Sequence, residues 1–270
     1  MDDRVKITIS DHIADVRLVR PDKMNALDAA MFDALVAASG RLAQEKGVRA
    51  VVLSGEGRAF CAGLDMSRFA AMKESGGNGI AGGETRDLAA RTHGLANYPQ
   101  QAVWGWRQLQ VPVIAAIQGV AFGGGFQLAL GADMRFLSPD ARMSIMEIKW
   151  GLVPDMAGTP ILANLVRDDI LRDLTYTGRI FSAQEALGYG LATRICEDPR
   201  AAAFEVAREI AGKSPEAIRA AKRMLNNLAV NPGPALLAES VEQMKLMGGP
   251  NQLEAVRANM EKRAPRFADV

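Results

Sequence analysis

Cysteine and histidine are the scarcest reactive residues in this 270-residue chain, with two of each. Cys61 and Cys196 stand far apart, which argues against a disulfide framework and suits a reducing compartment, the cytoplasm. His12 and His93 belong to no cluster with metal-ligand spacing, so no zinc site is expected. No apolar stretch reaches the roughly 18 residues that a membrane span requires. The N-terminal MDDRVKITIS also lacks the charged-then-apolar order of an export signal. Net charge is nearly absent: 32 basic against 31 acidic side chains leave +1, without a basic run that nucleic acid would favour. What the chain does have is apolar bulk, 49% of its residues, enough for one large domain or a core with an appendage.

Period and punctuation outline the elements. Val5 to Val19 alternates around Asp11-His12, as a β-hairpin does. Asn25 or Asp28 is placed to cap a helix whose Leu27, Met31 and Leu35 recur every four residues. Arg49 to Ser54, Val113 to Ile117 and Met134 to Leu137 are short apolar runs of the kind that form buried parallel strands. An amphipathic piece with Met66, Phe69 and Met72 precedes a glycine-rich segment at 75–84. Residues 85–110 read as helical with a bend near Pro99. From Ala201 the chain is helical, with breaks at Ser214-Pro215, Asn231-Pro232 and Gly248-Gly249-Pro250. The order predicts an α/β core over 1–200 and a helical region over 201–270. No internal sequence repeat is visible.

The stretch FGGGFQLALGADM puts Gly123, Gly124 and Gly125 at a helix mouth, followed by the neutral amide of Gln127. Glycine costs a helix about 1 kcal/mol relative to alanine. Such a run implies close backbone packing or N–H groups that approach a ligand. Leu128 occupies the place of the third glycine of a dinucleotide fingerprint, and neither a phosphate-binding GxxxxGK[ST] loop nor a GxSxG elbow occurs. Cys61-Ala62-Gly63-Leu64-Asp65 likewise follows a buried strand and opens a second helix with small residues. Two converging sets of backbone donors would form an oxyanion hole. Taken alone, Asp65 reads first as a helix cap.

RAFCAGLDM, VPVIAAIQGVAFGGGFQLALGADMR, ARMSIMEIKWGLVPDMAGT, LTYTGRIFSAQEALGYGLATRI and NMEKRAPRF, in that order, resemble the crotonase (enoyl-CoA hydratase/isomerase) superfamily over essentially the whole chain. The resemblance implies a ClpP/crotonase spiral of repeated ββα units, with C-terminal helices that build a homotrimer or a hexamer. It also implies an acyl-CoA thioester as substrate, coenzyme A being part of that substrate and no separate cofactor being required. Carried over, the oxyanion donors are the N–H groups of Leu64 and Gly124. CoA would lie along Lys23, Met24, Ala62, Gly63, Asp65 and Met66. Lys262 would reach the CoA phosphates of a neighbouring subunit, although Asn259 replaces the aromatic residue usual three positions earlier.

The acid/base side chains are where the chain departs from part of that superfamily. Hydratases use two glutamates, and here the first position is Gln127 while the second is Glu147. Glutamine cannot exchange a proton near neutral pH. Asp155 stands eight residues after Glu147, the spacing that resembles dienoyl-CoA isomerases, whose usual third acid is again replaced by Gln127. The resemblance therefore implies double-bond isomerisation of a (di)enoyl-CoA by Glu147 and Asp155. A hydratase in which Gln127 holds water beside Glu147, and a catalytically silent acyl-CoA-binding protein, are the alternatives. Trp150, Phe69 and Met72 are candidates for an acyl pocket, with ordinary core packing as the simpler role.

Overall fold

Asp11 and His12 both adopt left-handed conformations, with φ of 48° and 65°, as a tight two-residue hairpin turn requires. In the computed structural model, which describes residues 4–66, 87–226 and 233–266, they join β1 (Val5–Ser10) to β2 (Ile13–Leu18). Beyond β2 the sheet is parallel. β3 (Ala50–Gly55), β4 (Val113–Ile117), β6 (Met134–Leu137) and β9 (Arg194–Ile195) follow in the order β1-β2-β3-β4-β6-β9. β3 and β4 read as unbroken apolar runs because both of their faces are covered.

Alternation along β3 assigns the two faces. Val51 and Leu53 pack with Met31, Phe32 and Leu35 of α1 (Ala29–Gln44) and with Val103 and Trp106 of α2 (Tyr98–Gln108). Ala50 and Val52 face the other way, against Ala203, Ala207 and Ala211 of α7 (Pro199–Ala211). The four-residue spacing of these alanines puts small side chains along one helix stripe, so α7 lies close on the sheet. Asp28, rather than Asn25, caps α1 by accepting from Met31 N at 2.8 Å. Asn25 is wholly buried and braces its loop, donating to the Glu56 and Ala59 carbonyls and accepting from Arg20 N.

A second sheet of β5 (Val120–Phe122), β7 (Arg142–Ser144) and β8 (Phe181–Ser182), in the order β5-β7-β8, lies beside the first in the chain path. β4 runs into β5 and then α3 (Gly124–Leu130); β6 runs into β7 and then a short 3-10 turn, Glu147–Trp150. β3 likewise leads to Cys61, which bridges β5 in parallel at Ala121. The β4–β5 and β6–β7 passes each add one strand to each sheet and move one position along, so the expected α/β spiral of ββα turns is present.

α4 (Gly158–Leu162), α5 (Asp168–Thr177) and α6 (Ala183–Gly188) follow the second sheet's turns. The later helices return to the core: Lys222 of α8 (Pro215–Asn226) is buried, its ammonium 2.8 Å from both Asp133 and the Val111 carbonyl. α9 (Gly233–Leu246) and α10 (Pro250–Glu261) pack beside α4 and the 3-10 turn. Among the described residues, no helix is long and apolar enough to cross a membrane.

One expected element is different. Residues 87–97 form turns, and the helix begins only at Tyr98, where Asn97 and Gln100 form a reciprocal capping box. Pro99 sits in the first helical turn, where a missing N–H is harmless, so it helps to start the helix instead of bending one. The pieces with Phe69 and Met72, the glycine-rich segment 75–84 and the break at Asn231-Pro232 lie outside the described residues.

Two glycines separate crowding from propensity. A Cβ on Gly125 would lie 2.3 Å from the Cys61 carbonyl oxygen, whereas one on Gly40, inside α1, would meet nothing within 4 Å. Gly125→Ala is expected to destabilise the protein by about 1–3 kcal/mol, and Gly40→Ala to stabilise it by about 0.5–1 kcal/mol. Urea denaturation of both variants checks this; equal effects would contradict the close approach of α3 to the Cys61 strand.

Candidate active site

Three segments that follow strands of the two sheets converge on one cavity of about 590 Å³. The first is the loop after β2, where Met24 and Asn25 take left-handed conformations. The second is Ala62 to Met66. The third is the Phe122–Gly124 entrance to α3. Short backbone bonds join the first two: Ala62 N to Met24 O at 2.9 Å, Leu27 N to Gly63 O at 2.8 Å and Asp65 N to Leu27 O at 3.1 Å. In this parallel bridge Leu27 uses its own N–H and carbonyl, which turns the N–H of Leu64 away from Leu27. Gly63 touches the third segment, since a Cβ there would lie 2.5 Å from Phe122 O and 3.7 Å from Gly124 N.

Gly124 is the first residue of α3, whose opening N–H groups have no partner within the helix. Gly123 before it has φ 50° and ψ −122°, a conformation essentially reserved for glycine. A Cβ on Gly124 would lie 2.8 Å from both Leu27 Cδ1 and Met156 Sδ. The glycine run therefore serves packing at Gly125 and an open backbone at Gly123 and Gly124. The Asp65 carboxylate accepts from Arg20 Nη1 at 2.6 Å, and the same guanidinium nitrogen donates to Ala26 O at 3.1 Å. That ion pair ties the first two segments together.

The floor of the cavity is acidic. Glu147, at the start of the 3-10 turn, is buried and accepts from Gln127 Nε2 at 2.7 Å through Oε1. Its Oε2 has no hydrogen-bond partner among the described residues. Burial pushes its pKa up to about 7, against the opposing pull of its own backbone N–H and of Gln127. Asp155 is also buried, with Oδ2 unpartnered among the described residues. Burial, then the negative charges of Glu239 and Glu147, push it up to about 8, while its own N–H and Gln243 pull it down.

Gln127 has a fixed orientation. Its Oε1 accepts from Met156 N at 2.9 Å and Gly158 N at 3.0 Å, which leaves Nε2 to face Glu147. A carbonyl oxygen with two backbone donors has no lone pair to spare for a water. Gln127 is thus a brace between the Glu147 carboxylate and the turn that carries Asp155.

Lys23, Met24, Ala62, Gly63, Leu64, Asp65, Met66, Gly124, Gln127, Glu147 and Asp155 all line this cavity, and Trp150 does so with Leu152 and Ile180. Lys262 does not: it ends α10 in a left-handed conformation and is exposed. Two contributors escape motif reading, Glu239 and Gln243 of α9. Glu239 is buried and accepts from Ala157 N, Thr159 N and Gln100 Nε2; burial pushes it up to about 7 against those hydrogen bonds. Leu236, Glu239, Ser240 and Gln243 recur at helical spacing, three polar residues on one stripe. That pattern signals a buried network without saying what it holds.

Residues 8–270 match the family model described as enoyl-CoA hydratase/isomerase. The chain is 32% identical to the carnitinyl-CoA dehydratase of Proteus mirabilis over 275 residues, covering 99% of each protein. It is 30% identical to the mitochondrial Delta(3,5)-Delta(2,4)-dienoyl-CoA isomerase of Mus musculus over 259 residues, 93% of this chain and 77% of that one. The crystal structure of an enoyl-CoA hydratase/isomerase from Pseudoalteromonas atlantica superposes with a TM-score of 0.81 at 26% identity, covering 98% of this chain and 99% of that one.

A carboxyl that holds its proton more firmly folded than unfolded makes the fold less stable as pH rises. Glu147 is held near 7 against an ordinary 4.5, so its burden appears above 4.5 and is complete above about 7. Glu147→Gln is expected to match the parent in acid and to exceed it by about 2–3 kcal/mol near pH 8. Denaturant titrations from about pH 4 to 8 check this, and a pH-independent difference would contradict the burial of that carboxyl.

Proposed function

The chain belongs to the enoyl-CoA hydratase/isomerase family, and within it we propose an isomerase that converts a 3,5-dienoyl-CoA to the 2,4-dienoyl product. The observation that carries this reading is the pair Glu147 and Asp155: two buried carboxyls on one cavity wall, separated by an amide that cannot trade protons. A shift of two conjugated double bonds needs two proton-transfer groups and no water.

In this reading the thioester carbonyl accepts the N–H groups of Leu64 and Gly124. They favour the enolate over the ground state, and a donor of this kind is typically worth about 3 kcal/mol. One carboxylate removes the proton from C2. The C2–H electron pair moves inward, forming C2=C3 and C4=C5, and C6 takes a proton from the other carboxyl. The pair holds the same number of protons before and after. Glu147 is the partner that stands ionised and ready to take the proton, because the Gln127 amide donates to its ionised form. Asp155 is the partner that starts protonated, because burial and the negative charges beside it disfavour its ionised form. The apolar lining contributed by Leu27, Phe32, Met146 and Trp150 suits an acyl chain.

Hydration of a 2-enoyl-CoA is the second reading, favoured by the dehydratase named among the relatives and by Glu147 itself. It lacks a place for water on Gln127, whose carbonyl oxygen is already used twice. In either reading, residues 201–270 would build the homotrimer or hexamer, with Lys262 directed at a neighbouring subunit's CoA.

Purified protein given a 3,5-dienoyl-CoA should produce the 2,4-diene absorbance, and given a 2-enoyl-CoA should hydrate it far more slowly. Fast hydration without a diene shift would reverse the order of the two readings. Asp155→Asn is expected to lower the diene shift by about 10²–10⁴-fold with CoA-ester affinity nearly kept, and Leu64→Pro to abolish turnover by deleting a donor.

The rate should be bell-shaped in pH. It should fall below about 7 as Glu147 gains a proton and above about 8 as Asp155 loses one. A profile flat across that window in steady-state kinetics would remove these two groups from the chemistry.

A further inference from the structure

Four consecutive backbone N–H groups, Met156 to Thr159, turn the chain from Asp155 into α4. Within the helix they have no acceptors. They are taken alternately from opposite sides. Gln127 Oε1 accepts from Met156 and Gly158, while Glu239 accepts from Ala157 at 2.9 Å through Oε2 and from Thr159 at 2.7 Å through Oε1. Between them Ala157 is held in a left-handed conformation, φ 67°, which strains any residue that carries a Cβ. Such a conformation persists only where its surroundings dictate it.

We propose that Glu239 is a positioning residue: clamped onto Ala157 and Thr159 from α9, it sets where the turn presents Asp155 to the substrate. The proposal rests on Asp155 being one of the two proton-transfer groups. A carboxylate suits the task because both of its oxygens accept. A glutamine in its place would aim an NH₂ at one of the two N–H groups. The outer side of Glu239 is held by Gln100 Nε2 at 3.1 Å, and Gln100 Oε1 in turn accepts from Arg91 Nη1 at 3.0 Å. The charged and titratable groups that face Glu239 are therefore Arg91, behind Gln100, and Asp155 toward the cavity, with Glu147 acting on Asp155 from the 3-10 turn. Ionised Glu239 makes a second negative charge at Asp155 harder to form. Its second effect is thus to keep the Asp155 proton until substrate takes it.

Three full-length variants separate geometry from charge. Glu239→Gln removes the charge and one acceptor; Glu239→Asp keeps the charge and shortens the reach; Asp155→Asn identifies the Asp155 band. Infrared difference titration of the protonated-carboxyl stretch reports the Asp155 midpoint without turnover, and circular dichroism reports the folded fraction. Glu239→Gln should lower that midpoint by about one pH unit. It should also reduce kcat about tenfold or more with KM changed less than about twofold. Glu239→Asp should lose kcat while keeping the midpoint high. A folded Glu239→Gln protein with both the midpoint and kcat of the parent overturns the proposal.

Should neither Glu239 variant fold, hydrogen exchange on the parent decides. Protection of the Ala157 and Thr159 amides should rise, relative to Met156 and Gly158, as Glu239 ionises. The same pH response at all four amides overturns the proposal. A protein that turns over no dienoyl-CoA, yet shows the infrared and exchange responses, would refute the isomerase reading and leave the Glu239 clamp standing.

Discussion

A carboxyl group deprived of water keeps its proton, and in this fold that deprivation is arranged from several directions at once. The strand β7 delivers Glu147 into a 3-10 turn whose outer side is covered by α10. The turn after Val153 delivers Asp155 beneath α9, where Gln243 and Glu239 close over it. Gln127 stands between the two, bonded to one carboxylate and to the backbone that carries the other. Remove the helices from these turns and both acids would return to their ordinary range. The C-terminal helices are therefore part of the electrostatics of the site, whatever else they do.

The opposite end of the cavity obeys a different constraint. There the requirement is for bare backbone, and the chain meets it by laying three segments side by side. Leu27 ties to Gly63 and Asp65, Cys61 ties to Val120 and Phe122, and the Arg20–Asp65 ion pair fastens the outer edge. A partly buried pair of this kind adds little net stability, and its place here is to hold the two segments together. The polar brace at one end and the open N–H groups at the other stand on elements belonging to successive ββα turns. One spiral thus holds both ends of the cavity in register.

Much of this was readable in the sequence. The strands β3, β4 and β6 were found to within about a residue, since strands buried on both faces announce themselves as apolar runs. Gln127, Glu147 and Asp155 are legible through the family resemblance, whose acid/base positions they occupy, and not through composition or spacing alone. The repeated ββα turns left no sequence repeat, because each pass needs only short apolar strands and not particular residues. Residues 87–97 misled for the opposite reason: apolar residues and a proline suggested a bent helix, but the capping box at Asn97 decides where the ladder begins. Glu239 and Gln243 were out of reach, lying 82 and 90 residues from the backbone groups they hold. Tertiary contacts at that distance leave no local trace beyond a polar stripe on a helix.

Cys61 belongs to the core, one residue before Ala62 of the cavity lining. Its thiol is fully buried, donates to Asn25 O at 3.1 Å, and is pushed up to about 12 by that burial. Enoyl thioesters, for which the family is named, are electrophiles that add thiolates at the β-carbon, so a reactive cysteine beside one would be alkylated. At neutral pH the Cys61 thiol therefore keeps its proton and is a poor nucleophile. The burial that packs Cys61 into the core thus also keeps its thiol from adding to such electrophiles.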